Sequence, residues 1–131
     1  VKGGFLGLAM FYGLATILVG LFPCDAGCPT NIVNSSTSQL IHNATATLTY
    51  FFVPILIFGI GLGLRKFKDY NRLSQIAMTT GILSAIFIFM LFSNPESDFR
   101  GLLQRIIEIL FITLIVASSI SIWKTPKIII K

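Results

Sequence analysis

Four apolar runs, each long enough to cross a lipid bilayer as a helix, dominate this chain. A bilayer core is about 30 Å thick, and a helix crosses it in about 20 residues. Segments 3–22, 43–64, 73–93 and 101–123 each reach that length with almost no charge. Backbone groups inside a bilayer must be satisfied within their own segment, so the runs are expected to be helical. The expected fold is all-α: one polytopic domain over residues 1–131, a bundle of four transmembrane helices. Composition argues against a soluble alternative. Charged residues are 11% of the chain, against about a quarter in an ordinary soluble domain, too few to cover a water-facing surface.

The first run has the length of a secretory signal, but no small-residue cleavage site follows it. Phe22-Pro23 before Cys24 is a poor lipoprotein site, so the run reads as a retained helix. The chain opens at Val1 rather than Met, so its start is expected to be trimmed, misread or preceded by further sequence.

The basic residues are distributed unevenly about these spans. Arg65, Lys66, Lys68 and Arg72 lie between the second and third, Lys124, Lys127 and Lys131 follow the fourth, and Lys2 precedes the first. The segment from Pro23 to Ile41 has no Lys or Arg, and that from Asn94 to Arg100 has only Arg100. Asp25, Glu96 and Asp98 lie on this second side. The positive-inside rule then places both termini in the cytoplasm, with Trp123 as an interfacial anchor, in a multi-pass protein of a prokaryotic cell membrane. The net charge of +5 is accounted for by these clusters. No basic face with interleaved aromatics appears, so nucleic acid is not an expected partner; the lipid bilayer is, and so is a second copy of the chain.

Helices in lipid associate by close packing and hydrogen bonds. Gly3 with Gly7, and Gly59 with Gly63, form small-residue pairs at helical spacing, with Gly61 between the latter two. The glycine-rich run lacks the strand and the Lys-Ser/Thr ending of a phosphate loop, which favours packing. Pro54 is expected to kink the second span. Thr45 and Thr49 follow His42 at helical spacing, where they can bond either to a neighbouring helix or to their own backbone.

The polar residues at the outer end carry the functional reading. The apolar run from Ile109 to Trp123 covers roughly 22 Å at 1.5 Å per residue, too short to cross. The fourth span must extend back through Glu108 and Arg105, which submerges Glu108. Arg105 and Gln104 share its helix face, and Glu108 is expected to face the bundle interior with Arg105, the nearest by spacing, or His42 close enough to bond it. A structural pair that sets helix register and an outward-facing binding site are both consistent with this pattern. His42, the only histidine, opens the second span at similar depth, and Asp25 is on the same side. Asp25, His42, Gln104, Arg105 and Glu108 therefore form the candidate binding cluster; no catalytic residue can be assigned. Cys24 and Cys28 flank Asp25-Ala26-Gly27 and could close a small disulfide ring on an oxidising side or stay as thiols. Their spacing to His42 fits no familiar metal pattern, so neither metal nor cofactor is expected.

The string Gly20-Leu21-Phe22-Pro23-Cys24-Asp25, the following His42 and Pro54, and Gly101-Leu102-Leu103-Gln104-Arg105 resemble the family called domain of unknown function 998. These are uncharacterised prokaryotic membrane proteins with a Phe-Pro-x-Asp motif, a histidine and a Gly-Leu-x-Gln-Arg motif. The resemblance covers nearly the whole chain. Members usually have about six spans, which implies that this chain corresponds to the last four, with its parity unchanged. A second histidine common in the family falls at Ser38 here. The resemblance supports the fold and picks out Asp25, His42, Gln104 and Arg105, and it implies no reaction.

Three functions are compatible with these residues. The first is an integral membrane protein of unknown molecular function that binds a lipid or small molecule at the outer cluster. The second is an intramembrane lipid-modifying enzyme, with His42 or Glu108 as base and Arg105 holding a phosphate or carboxylate. The third is part of a transporter with Arg105 and Glu108 on its path. Serine-elbow, metal and nucleotide-loop motifs are all lacking in the sequence.

Overall fold

Each apolar run forms a helix in the computed structural model, which describes residues 1–29 and 33–124. Helix α1 runs Lys2–Leu21, α2 Thr37–Leu64, α3 Asn71–Ser93 and α4 Arg100–Lys124. A short 3-10 turn, Lys68–Tyr70, leads into α3. All four are long and apolar enough to span a membrane, and the described residues contain no strand. Consecutive helices are the main packing partners, with α2 against α3 the most extensive contact. This is the arrangement that short helix–helix connections favour.

Two local features depart from a plain hydropathy reading. Helix α2 starts six residues before the expected position 43, because Ser36 caps it. The Ser36 hydroxyl oxygen accepts the Gln39 backbone N–H at 3.0 Å. Ser36 and Gln39 have the Ser-x-x-Gln spacing of a capping box, a start signal that polar composition hid from an apolar-run search. At 28 residues α2 is about 42 Å long, more than the bilayer core. His42 sits in the second turn of α2. The second feature is in α1, which widens to a π-helical turn over Ala9–Leu14. Such turns are rare and occur often at functional sites.

The core is built from one stripe of each helix. Val53, Ile57 and Ile60 of α2, Ala77 of α3, and Ile107, Phe111 and Leu114 of α4 are fully or almost fully buried. The opposite faces expose Phe51, Phe89, Ile109 and Ile122, as lipid-facing helices do. Glycine lets α2 and α3 come close, but not at all the expected positions. Gly3 and Gly59 face open space, while Gly7 and Gly63 meet Leu56 and Val1. The tight crossing is at Gly61, where an added Cβ would lie 2.9 Å from the Met78 backbone nitrogen and 3.0 Å from the Ser74 carbonyl. The Ser74 hydroxyl donates to the Gly61 carbonyl at 2.7 Å across the same crossing. Gly81 of α3 repeats the device, 3.0 Å from the Phe58 backbone nitrogen. The sequence pairs placed close packing at i and i+4 on one helix; the structure uses one glycine from each of two facing helices.

Candidate functional site

The loop after α1 is bound to the first turns of α2. His42 Nδ1 lies 3.1 Å from the Phe22 carbonyl oxygen, and the Ser38 hydroxyl donates to the Pro23 carbonyl at 2.7 Å. The Asp25 carboxylate accepts the Ser36 hydroxyl at 2.6 Å and the Ser36 N–H at 3.0 Å. The Asp25 N–H in turn donates to Gln39 Oε1 at 2.6 Å. Gln39 is buried, and its amide also donates to Asn43 Oδ1 at 2.8 Å. From the far side Arg100 donates to the Gly27 carbonyl. Phe22, Pro23 and Asp25 thus act together as a clasp on α2. Gly27 at φ +79° and Cys28 at φ +46° turn the chain back, and Cys24 and Cys28 are joined with their Cα atoms 5.2 Å apart.

Asp25 is held below its ordinary value of 3.8 because the Ser36 hydroxyl and amide donate to its charged form. A lowered carboxylate supports the folded clasp above that ordinary value and loses the support as pH falls below it. Hydrogen exchange at the Ser36 amide should therefore be slow at about pH 6 and lose its protection once the pH has fallen well below 3.8. In Asp25→Asn protection should be weak at both; equal protection in the two proteins would remove this role.

Beneath the clasp, a cavity of about 250 Å³ opens between α1, α2 and α4. It brings together His42, Gln104, Arg105 and Glu108, four of the five cluster residues, whereas Asp25 lies outside it in the clasp. Glu108 lies two turns into α4, about 12 Å from its start at Arg100. Its hydrogen-bond partner is neither Arg105 nor His42. Tyr12, carried on the wide turn of α1, donates its hydroxyl to Glu108 Oε2 at 2.8 Å. The Tyr12 ring stands edge-on to Phe111 with centroids 5.4 Å apart. Arg105 is exposed and reaches the Gly101 carbonyl of its own helix at 3.4 Å. Helical spacing of three allowed the Arg105–Glu108 pair; the guanidinium turns outward instead, toward the more polar end of its helix.

Thr49 of α2 lines the same cavity and reaches two carbonyls, Thr45 of its own helix at 2.9 Å and Phe11 in the wide turn of α1 at 3.0 Å. Its single proton serves either, so both possibilities for the threonine stripe meet in one residue. Tyr12, Thr49 and Tyr50 also line the cavity, although sequence pattern does not single them out as site residues. Tyr12 had a usable signal, since a tyrosine hydroxyl within an otherwise apolar span must find a partner. A second cavity, of about 300 Å³, shares His42, Tyr50 and Gln104 as a common wall and extends to Cys28 and Arg100.

Among the described residues, one group could hold a metal. The sulfurs of Cys24 and Cys28 and a ring nitrogen of His42 lie within 4.8 Å of one another. With the sulfurs joined in a disulfide there is no thiolate to coordinate, so the set becomes a ligand group only on reduction.

Among known proteins, the profile of a family described as "Protein of unknown function (DUF998)" matches residues 1–121. No curated protein and no solved structure matches the chain.

Proposed function

The chain belongs to this family of proteins of unknown function, DUF998, and from that kinship we propose that it is a multi-pass cell-membrane protein that binds a lipid or small molecule in the cavity beside Glu108. The observation that carries the reading is the state of Glu108 and its neighbours. One carboxylate oxygen is held by Tyr12, and the Arg105 and Gln104 side chains line the same cavity without bonding to Glu108. Ionisable groups at this depth in a membrane segment usually mark a site. Val19 and Ala46 supply an apolar wall beside them. A ligand with a polar group that accepts from Arg105 and an apolar body against that wall would match this lining.

In the proposed orientation both termini face the cytoplasm and the cavity lies toward the outer leaflet. The clustering of Lys2, Arg65, Lys66, Lys68, Arg72 and Lys124 at the opposite end supports it. Two readouts test the whole reading. Native mass spectrometry of the protein, extracted gently from membranes, should show a retained lipid or small molecule. Its occupancy should fall several-fold in Gln104→Ala/Arg105→Ala and stay in Arg65→Gln, which lies at the other end. In intact cells, in a background without Cys24 and Cys28, a cysteine at Ser97 should react with an impermeant thiol reagent and one at Lys68 should not. Absence of any retained ligand in wild type defeats the binding reading, and equal labelling defeats the orientation.

A further inference from the structure

A cavity of about 810 Å³ lies at the other end of the bundle, where α3 begins and α4 ends. Its rim carries three cations, Lys68, Arg72 and Lys124, against one acid, Asp69. All three cations are exposed, and none forms an ion pair with a described carboxylate. Its floor is apolar and includes Ile76 from α3 and Ile120 from α4, both on candidate membrane spans. The amino terminus of α3, the positive end of its dipole, is at the cavity and carries no side-chain cap.

A cationic rim over an apolar floor does not suit a freely soluble anion, which gains nothing from the floor. It also does not suit a neutral lipid, which leaves the net positive charge of Lys68, Arg72 and Lys124 over Asp69 without a counter-charge. The volume exceeds what a bare phosphate fills. Trp123, the sole tryptophan, is next to Lys124 and 89% exposed, which is where an interfacial aromatic anchor sits. With Trp123 as an interfacial anchor, the rim would be level with lipid headgroups and the floor with the first carbons of their chains. Basic pockets between transmembrane helices at this depth take anionic headgroups. We propose that this cavity binds the headgroup of an anionic phospholipid, with Lys68, Arg72 and Lys124 around the phosphate and Ile76 and Ile120 against the acyl chains. The site is separate from the cavity beside Glu108 and does not depend on what binds there.

Trp123 provides the test without a label. The full chain is reconstituted in vesicles of phosphatidylcholine containing equal fractions of brominated phosphatidylglycerol or brominated phosphatidylcholine, and tryptophan quenching is compared. The expected relative binding constant favours phosphatidylglycerol roughly ten-fold. In K68Q/R72Q/K124Q the ratio should fall close to one, with helix content unchanged. In R65Q/K66Q, which removes two cations at the same end but outside the cavity, most of the preference should persist. Equal quenching by the two lipids in wild type overturns the proposal. An unchanged preference in the triple variant, or its loss in both variants alike, overturns it too, since the cavity would then not be the cause. Relief of quenching by millimolar inorganic phosphate would make it a free-anion site and overturn it. A preference that appears only after residues 125–131 are removed would make the chain's own tail the occupant, which overturns it as well.

Discussion

Gly61→Val should abolish most of the folded protein, whereas Gly59→Val, two residues away on the same helix, should leave it intact. The space at the two positions differs completely. Nothing lies within 4 Å of a Cβ at Gly59. A Cβ at Gly61 would meet Met78 Cγ at 2.6 Å, the Met78 nitrogen at 2.9 Å and the Ser74 carbonyl at 3.0 Å. The Met78 side chain can rotate away; the backbone atoms of α3 cannot, so α2 and α3 must move apart. That separation also stretches the 2.7 Å bond from Ser74 to the Gly61 carbonyl. It falls on the most extensive contact in the bundle, the one flanked by the buried Ile57, Ile60 and Ala77. Overpacking of a dense core costs about 1–3 kcal/mol, and the valine branches add to the clash of the Cβ alone. Folded yield after detergent extraction and the thermal midpoint of what is recovered would measure it. A Gly61→Val protein with wild-type yield and midpoint would mean that the crossing is not as close as described.

The second large effect is at Tyr12 and Glu108. Tyr12→Phe removes the donor to Glu108 Oε2, and Glu108→Leu removes the acceptor of the Tyr12 hydroxyl. Each should lower stability by about 1–2 kcal/mol, the range for leaving a buried polar partner unmade and for interhelical bonds in membranes. The double variant Tyr12→Phe/Glu108→Leu leaves neither group stranded and should recover part of the loss, so the mutant cycle should show coupling between them. Arg105→Gln should leave stability nearly unchanged, because among the described residues its bond is a 3.4 Å contact to the exposed end of its own helix. An Arg105–Glu108 ion pair would give the reverse pattern, with Arg105→Gln as damaging as the loss of Glu108. Thermal or denaturant midpoints of the four proteins therefore decide which residue holds the carboxylate. Additive losses from Tyr12→Phe and Glu108→Leu would exclude the bond.

The sequence by itself determined the number of helices, their approximate ends and the all-helical class. These follow from the length and apolarity of each run and from the bilayer's demand that backbone groups pair within the segment, all of which are local properties. The same arithmetic of length carries the fourth helix back past Glu108, and α4 starts at Arg100, upstream of it. The one boundary read poorly, the start of α2, was marked by a capping signal from Ser36 and Gln39 that an apolar-run search passes over. What the tertiary structure alone decided is which faces meet. An apolar helix in a bilayer is apolar all round, so hydropathy does not say which stripe turns inward, how deep the helix sits or how it is rotated. Those rigid-body choices put Tyr12 rather than Arg105 on Glu108 and chose Gly61 and Gly81 over Gly3 and Gly59 for close approach. They also took Asp25 out of the cavity and into the clasp on α2. Each of these contacts joins residues on different elements, and their relative placement is set by packing between helices, which spacing along one helix cannot encode.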